Sequence, residues 1–519
     1  MDITAVFGTV ILGSNPGGRT NGMKAKIEKF DIPENVSHVT TTLKKAGFEA
    51  YLVGGCVRDL FMGRKPKDWD VTTNATPEQI IPLFNKTFYE NSFGTVAIVN
   101  DPPAGGVGDE TLKIIEITPY RIEGSYSDFR RPDTVEFSQN ILDDLKRRDF
   151  TINSIAYDPE NAEIIDPFGG VIDLHKGVIK AVGNPIDRFS EDGLRIIRAV
   201  RFHVELDFPI DPETEKAILE KGYVLGEVSK ERVRDELVKI IMSSRPMNGL
   251  IMAQKLGLLH YIIPELENAI GIEQRGVHIY DVWTHLLKSL QHAADKGYPL
   301  HVRLAALLHD IAKPDTRRFD KINNNYTFYG HEVVGSHVTR KILQNLKFSR
   351  ETIDKVTKLV RWHMFFSDTE EITPSAVRRL VANVGKDNVW DLMTVRVCDR
   401  IGTGRPKEQP YRLRKYQSMV EEVMRDPVSV NMLKVDGNKI MEILDIKPGP
   451  KIGNILNALM EEVLEDPKLN TEEYLVQRVG ELNLLSEEEL KSIADKGKNK
   501  LKSQEEEELS HIRQKYKVK

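Results

Sequence analysis

Cysteine is almost absent from this chain: Cys56 and Cys398 are the only two in 519 residues. That count leaves no disulfide framework and suits a reducing cytoplasm. No apolar run approaches the roughly 18 residues that a membrane helix needs, so no membrane contact is expected. An excess of one charge is missing too. The formal net charge is -5 and the pI near 6.3, which argues against nonspecific coating of nucleic acid. A polynucleotide needs only a local basic path, and Lys146, Arg147, Arg148, Arg195, Arg198 and Arg201 supply one. The apolar segment Ile3 to Gly13 has no basic region before it and no cleavage site after it, which excludes a secretory signal. Ser14 to Met23 reads as a linker, and translation of the natural protein is expected to start at Met23.

The stretch YLVGGCVRDLFMGRKPKDWDVTT, Tyr51 to Thr73, is built for chemistry. Tyr51, Leu52 and Val53 form an apolar run of the kind a buried strand uses. Gly54 and Gly55 follow, where bare backbone can approach a ligand closely, and Val57, Leu60, Phe61 and Met62 predict a helix over 56–62. Strand, glycine turn and helix N-terminus in that order make an anion site, to which Arg58 adds a cation. Residues 67–71 read as a second strand. Residues two apart share a strand face, so Asp68 and Asp70 present two carboxylates side by side. Such a pair calls for a cation, and Mg²⁺ takes hard oxygen ligands completed by substrate phosphates. A triphosphate at the glycine turn and a metal at the aspartates describe nucleotidyl transfer. A bare D-x-D is more often a solvated strand edge; the preceding G-G-x-V-R-D reverses that balance.

LVGGCVRD, GRKPKDWDVTTNATPEQI and LKRRDFTINSIAYD resemble the head of the class II tRNA nucleotidyltransferase and bacterial poly(A) polymerase family, and the likeness runs from about Phe30 to Leu485. Strands are expected over 94–99 and 112–118. The residues alone leave Glu116 between a third carboxylate and a solvated strand face; the resemblance favours the carboxylate. Thr76-Pro77-Glu78 predicts a helix with Ile80, Ile81 and Phe84 on its apolar side. Thr118 to Phe137 reads as a loop, and the resemblance assigns Glu123, Gly124, Tyr126, Asp128, Arg130 and Arg131 to the element that permits A addition after two C additions. Arg148 is a candidate phosphate ligand, and Asp149 and Asn153 are candidate ribose ligands.

Ser190 is read as the cap of a helix carrying Asp192 and Arg195 on one face. Cytosine and adenine each show an amine donor beside a ring-nitrogen acceptor, whereas uracil and guanine show a carbonyl beside a ring N–H. Asp only accepts and Arg only donates, so this pair selects C and A. A plain i,i+3 salt bridge is the bland alternative. The resemblance supports base selection and extends the motif to Arg198 and Arg201.

His285 in VWTHLLKSL, His309-Asp310 at the end of an apolar helix, and Asp399 in VRVCDR resemble the HD phosphohydrolase pattern, in which imidazoles and carboxylates hold a divalent transition metal. His331 and His363 are candidates for a second ion, and His337 reads as a surface histidine. The turn KPGPKIG between two amphipathic helices offers backbone amides to RNA phosphate, or is a plain hairpin.

The expected architecture is α+β: a small polymerase-β-like nucleotidyltransferase head of sheet and helix, then an all-helical neck, HD body and tail. The segments are 1–29 leader, 30–175 head, 176–265 neck, 266–405 HD domain, 406–485 helical tail and 486–519 a charged exposed end. The expected activity is Mg²⁺-dependent addition of CCA to the tRNA 3′ end from CTP and ATP, in the cytoplasm. The HD site adds an expected hydrolase activity on phosphate or 2′,3′-cyclic phosphate ends. The alternatives are a poly(A) polymerase or A-adding enzyme, and an HD phosphohydrolase that uses the head as an RNA clamp.

Overall fold

A computed structural model describes residues 24–89, 94–100, 109–124, 135–274, 279–321, 324–365 and 372–493. The chain divides into two compact units, Met1–Ile262 and Ile263–Lys519. No helix among the described residues is long and apolar enough to cross a membrane.

The first unit is built on β1 (Lys24–Lys26), β2 (Ala50–Val53), β3 (Trp69–Thr73), β4 (Thr87–Tyr89), β5 (Val96–Val99) and β6 (Ile114–Pro119). A separate ladder pairs β7 (Arg121–Glu123) with β8 (Val135–Phe137), and β9 (Ala156–Asp158) and β10 (Glu163–Ile165) complete the main sheet. Its order is β1-β10-β9-β2-β3-β6-β5-β4. Every neighbouring pair is antiparallel except β3 and β6, which run parallel. Leu52, Val71, Ile115 and Ile117 are fully buried, which is why these central strands read as apolar runs. Helix α1 (Glu34–Lys45) buries Val36, Val39, Thr40 and Leu43, a spacing that forms one helical stripe. The short helices α2 (Gly55–Phe61) and α3 (Ile141–Lys146) cover strand ends, and Leu145 joins Val53, Tyr120 and Ala156 in one cluster.

Three expectations need correction. The helix at Thr76 has its capping box with Gln79 but ends at Ile80, because Pro82 lacks the N–H that a continuing ladder needs; Ile80 is buried while Ile81 is exposed. The stretch from Thr118 to Phe137 is not loop throughout, since β6 runs to Pro119 and Arg121 pairs with Phe137. Tyr126, Asp128, Arg130 and Arg131 lie outside the described residues. Ser190 does not open a helix. Asn184 caps Ile186 and Pro185 occupies the first turn, so α4 (Pro185–Glu191) starts earlier and α5 (Leu194–Leu206) restarts after Asp192-Gly193. Helix α6 (Lys230–Met242) follows in the same unit.

Among its described residues the second unit is helical apart from the hairpin β11 (Arg318–Asp320) and β12 (Asn325–Thr327). Its helices include α7 (Val282–Asp295), α8 (Leu300–Leu308), α9 (His331–Asn345), α10 (Arg350–Trp362) and α11 (Val389–Gly402). Ala293, Ala306 and Cys398 pack α7, α8 and α11 together. Helices Gly437–Leu444 and Pro450–Glu465 are present, but the second starts inside KPGPKIG: Gly449 is its N-cap and Pro450 its first residue, so Pro450–Gly453 are helical and the turn is confined to the residues before them. Residues 487–493 are helical, and 494–519 and 1–23 lie outside the described residues.

Candidate active site and metal centre

At the head site, β2 delivers the chain to Gly54, whose φ of +83° lies in the left-handed region that favours glycine. A Cβ there would stand 3.1 Å from Arg148 Nη1 and 3.5 Å from Asp70 Oδ2; one on Gly55 would stand 3.7 Å from both Arg58 Nη2 and Asp68 Oδ1. The two glycines therefore lie against both aspartates and both arginines. Contrary to the reading of 67–71 as strand, β3 starts at Trp69: Asp68 is exposed in the bend just before it, and only Asp70, half-buried, lies within the strand. In the parallel ladder Asp70 is the register partner of Glu116, so the two carboxylates leave the same face. All donors here are oxygen, which fits magnesium with positions left for phosphate oxygens.

Behind this edge the charged side chains form a chain of hydrogen bonds. Arg58 Nη1 donates to Asn153 Oδ1 at 2.8 Å, Asn153 Nδ2 to Asp149 Oδ1 at 3.0 Å, and Arg198 Nε to Asp149 Oδ2 at 2.7 Å. Burial alone would raise the Asp149 pKa, but Arg198, Asn153 and the Phe150 N–H hold it at about 2. Arg148 is steered by Asp144, which is fully buried and accepts from Arg148 Nη2 at 3.0 Å and Arg147 Nη2 at 2.6 Å. Burial pushes the Asp144 pKa up, and the two arginines more than offset it. Arg148 Nη1, the nitrogen nearest Gly54, takes no part in that grip.

Asp192 and Arg195 do not bridge each other. Asp192 accepts from the Leu194 N–H at 3.0 Å and from Arg232 Nη2, on α6, at 2.7 Å. Arg195 donates from Nη1 to Glu191 Oε2 at 2.6 Å and the Arg188 carbonyl at 2.9 Å, and from Nη2 to the Arg147 carbonyl at 2.9 Å. That leaves Arg195 Nε and one Nη2 hydrogen, and spare lone pairs on Asp192. Arg201 is engaged by Glu236 at 2.6 Å and lies over the Phe202 ring.

A second polar cluster lies wholly within the second unit. His285 on α7, His309 and Asp310 just past α8, and Asp399 on α11 bring one ligand atom each within 4.8 Å of one another. His285 Nε2 is 3.0 Å from Asp310 Oδ2 and 3.4 Å from Asp399 Oδ1. The other oxygen of Asp310 faces a different pair: Oδ1 is 3.1 Å from His331 Nε2 and 3.5 Å from His363 Nε2. His309, His331 and His363 each direct Nδ1 at a backbone carbonyl, of Ala306, Phe328 and Val360, at 2.9, 2.7 and 2.7 Å. That contact fixes the ring so that Nε2 turns into the cluster. Burial would lower the His309 pKa, but Asp310 and Asp399 hold it up at about 10, while burial takes His363 down to about 4. Imidazole and carboxylate at this spacing fit a divalent transition metal. His337 is exposed, as read from the sequence.

Comparison with known proteins finds relatives across both units. Residues 50–180 match the family model for the poly A polymerase head domain, 207–270 that for the probable RNA and SrmB-binding site of polymerase A, and 276–401 the HD domain. The CCA-adding enzyme of Limosilactobacillus reuteri (strain DSM 20016) is 33% identical over 452 residues, spanning 87% of this chain and 97% of that enzyme. The chain belongs to the CCA-adding enzyme family. Its similarity to the CCA-adding enzyme of Lactiplantibacillus plantarum is 30% over 445 residues, 84% of this chain and 93% of that one. In three dimensions it resembles the Bacillus stearothermophilus CCA-adding enzyme solved in complex with CTP, with a TM-score of 0.64 at 26% identity over 87% of this chain and 98% of that one.

For this member of the CCA-adding enzyme family, sequence reasoning missed Asp144, Arg232 and Lys313. Asp144 carried a signal, since it precedes Arg147 and Arg148 by three and four residues. Lys313, three residues past Asp310 and 2.6 Å from its Oδ2, carried the same one. Arg232 lies 40 residues from Asp192 and carried none.

Proposed function

We propose that this chain adds C, C and A to the 3′ end of tRNA, using CTP and ATP. The register of Asp70 with Glu116, beside the Gly54-Gly55 turn, carries the reading. The terminal 3′-hydroxyl oxygen of the RNA bonds to the α-phosphorus, and the bond to the departing pyrophosphate breaks. Magnesium held by Asp68 and Asp70, with Glu116 beside them, would supply Lewis-acid charge for that in-line displacement. Arg148 meets phosphate oxygens through Nη1, held in aim by Asp144. Arg58, Asn153, Asp149 and Arg198 form the wall that receives ribose and phosphate.

Asp192 and Arg195 select the base, Asp192 accepting from the exocyclic amine and Arg195 donating to the ring nitrogen. Arg232 holds both Asp192 oxygens, at 3.2 and 2.7 Å, and Arg195 is held through Nη1 and Nη2, so the base is met by the spare lone pairs of Asp192 and by Arg195 Nε. Arg201, gripped by Glu236 and Glu205, braces this wall. The functional segments are the head at 30–175, the neck at 176–265, the HD domain at 266–405 and the tail at 406–485, acting in the cytoplasm.

A second activity is favoured by one observation, the Asp310 carboxylate that presents one oxygen to each donor group. His285, His309, Asp310 and Asp399 would hold one divalent transition metal, and His331 and His363 with Asp310 a second, supplying activated water for phosphate-ester hydrolysis. Terminal phosphates or 2′,3′-cyclic phosphates of RNA are its substrates.

The test is to offer tRNA ending at the discriminator base, at -C and at -CC, with Mg²⁺ and CTP and ATP singly or together, and to sequence the 3′ ends. Addition that stops at CCA is expected. Long A tails would make this a poly(A) polymerase, A on -CC ends alone an A-adding enzyme, and no extension an RNA clamp for the HD centre.

A further inference from the structure

The hairpin β11–β12 stands directly before His331 in the chain, and its composition is that of a nucleotide-binding surface. Phe319 faces Tyr326 across the ladder, with ring centroids 5.3 Å apart, and 48% of the Phe319 surface is in solvent. The guanidinium of Arg317 lies 3.6 Å over the Tyr326 ring. Its Nε is buried without a hydrogen-bond partner among the described residues. A cation stacked flat on an aromatic ring is poised for an anionic, planar ligand.

A second cation–ring pair continues towards the metal centre. Phe328 is two residues beyond Tyr326; Lys313 Nζ lies 5.5 Å from its ring centre and 2.6 Å from Asp310 Oδ2. The Phe328 carbonyl also receives the His331 Nδ1 contact. Burial rises along this set: Phe319 is exposed, Arg317, Tyr326 and Phe328 are half-buried, and Lys313 and Asp310 are buried. Bases stack on aromatic rings and on guanidinium planes, and phosphates seek the cations between them.

We infer that the β11–β12 hairpin is a stacking platform for the base of a terminal nucleoside phosphate, placed so that the phosphate reaches the HD cluster. This rests on the hydrolase reading of that cluster and names its substrate class: a nucleoside bearing a terminal phosphate, whether an RNA 3′ end or a free mononucleotide.

The probes are 2-aminopurine riboside 3′-phosphate and a short RNA ending in the same nucleotide, titrated into the full chain while fluorescence quenching is read. Phe319→Ala and Arg317→Lys are each expected to weaken binding about tenfold. Displacement of either probe by inorganic phosphate, which has no base to stack, is expected to require the same intrinsic phosphate affinity in all three proteins. A fall confined to the RNA probe assigns RNA ends, a fall confined to the mononucleotide assigns free nucleotides, and both support the platform. Equal probe affinity in wild type and both variants, or a parallel loss of phosphate affinity, overturns it. Hydrolysis of p-nitrophenyl phosphate by the metal-loaded protein tests the hydrolase reading separately: its absence beside a variant-sensitive quench would sink that reading and leave the platform standing.

Discussion

Asp70 sits where its loss separates chemistry from binding. Asp70→Ala is expected to abolish C and A addition while tRNA retention on a filter stays near wild type; turnover in that variant would remove the carboxylate pair from the mechanism. Gly54→Ala forces a side chain onto φ +83° and pushes a methyl against Arg148 and Asp70. The backbone strain costs about 1–2 kcal/mol, so a lower urea midpoint is expected with CTP and ATP incorporation reduced together. Asp149 gives a pH signature. Its folded pKa of about 2 lies below the unfolded value near 4, so its stabilisation is complete above the unfolded value and disappears as pH falls through about 2. The stability gap between wild type and Asp149→Asn, of order 2 kcal/mol near neutrality, is expected to shrink across that window. A gap independent of pH would mean that Arg198 does not hold the carboxylate.

Elements decide which of these residues were legible. The strand, glycine turn and short helix at Tyr51–Phe61 follow from local rules and appear as read. Partners that tertiary structure chooses were harder to see. The ion pair of Asp192 with Arg232 joins α4's end to α6, and no periodicity encodes it. Local rules also misled where two starts competed: Ser190 has the chemistry of a cap, but Asn184-Pro185 starts a helix six residues earlier, and the Ser190 hydroxyl turns back to the Ile186 carbonyl at 2.8 Å instead. The HD ligands were legible as residue types, whereas their grouping around Asp310 depended on five helices meeting. The meeting of α7 with α11 rests on Gly402, where a Cβ would strike Ser289 Oγ and stand 2.8 Å from the His285 carbonyl. Gly402→Ala is expected to cost about 1–3 kcal/mol and to lower transition-metal content by displacing His285. Mass spectrometry of the bound metal, read with the melting temperature, checks both.

Across the whole chain, two sites of different hardness call for different ions. The candidate ligands of the head are carboxylates, Asp70 in register with Glu116, whereas the HD cluster combines imidazole with carboxylate. A chelator selective for transition metals is therefore expected to spare Mg²⁺-supported CCA addition and to abolish phosphatase activity. Returning the metal at about 100 times its Kd would stabilise the second unit by about 2.7 kcal/mol, visible as a shift in one unfolding transition. Loss of tailing under the same chelator would show that the sites depend on one another.

The parallel pairing of β3 with β6 also has a hereditary side. A strand alternates faces residue by residue, so losing one codon inside Trp69–Thr73 or Ile114–Pro119 turns a carboxylate to the opposite side of the sheet in a single event. A substitution at an exposed position such as Ile114, 41% in solvent, leaves that register alone, whereas an in-frame deletion ahead of Asp70 or Glu116 is expected to abolish nucleotide addition in one step.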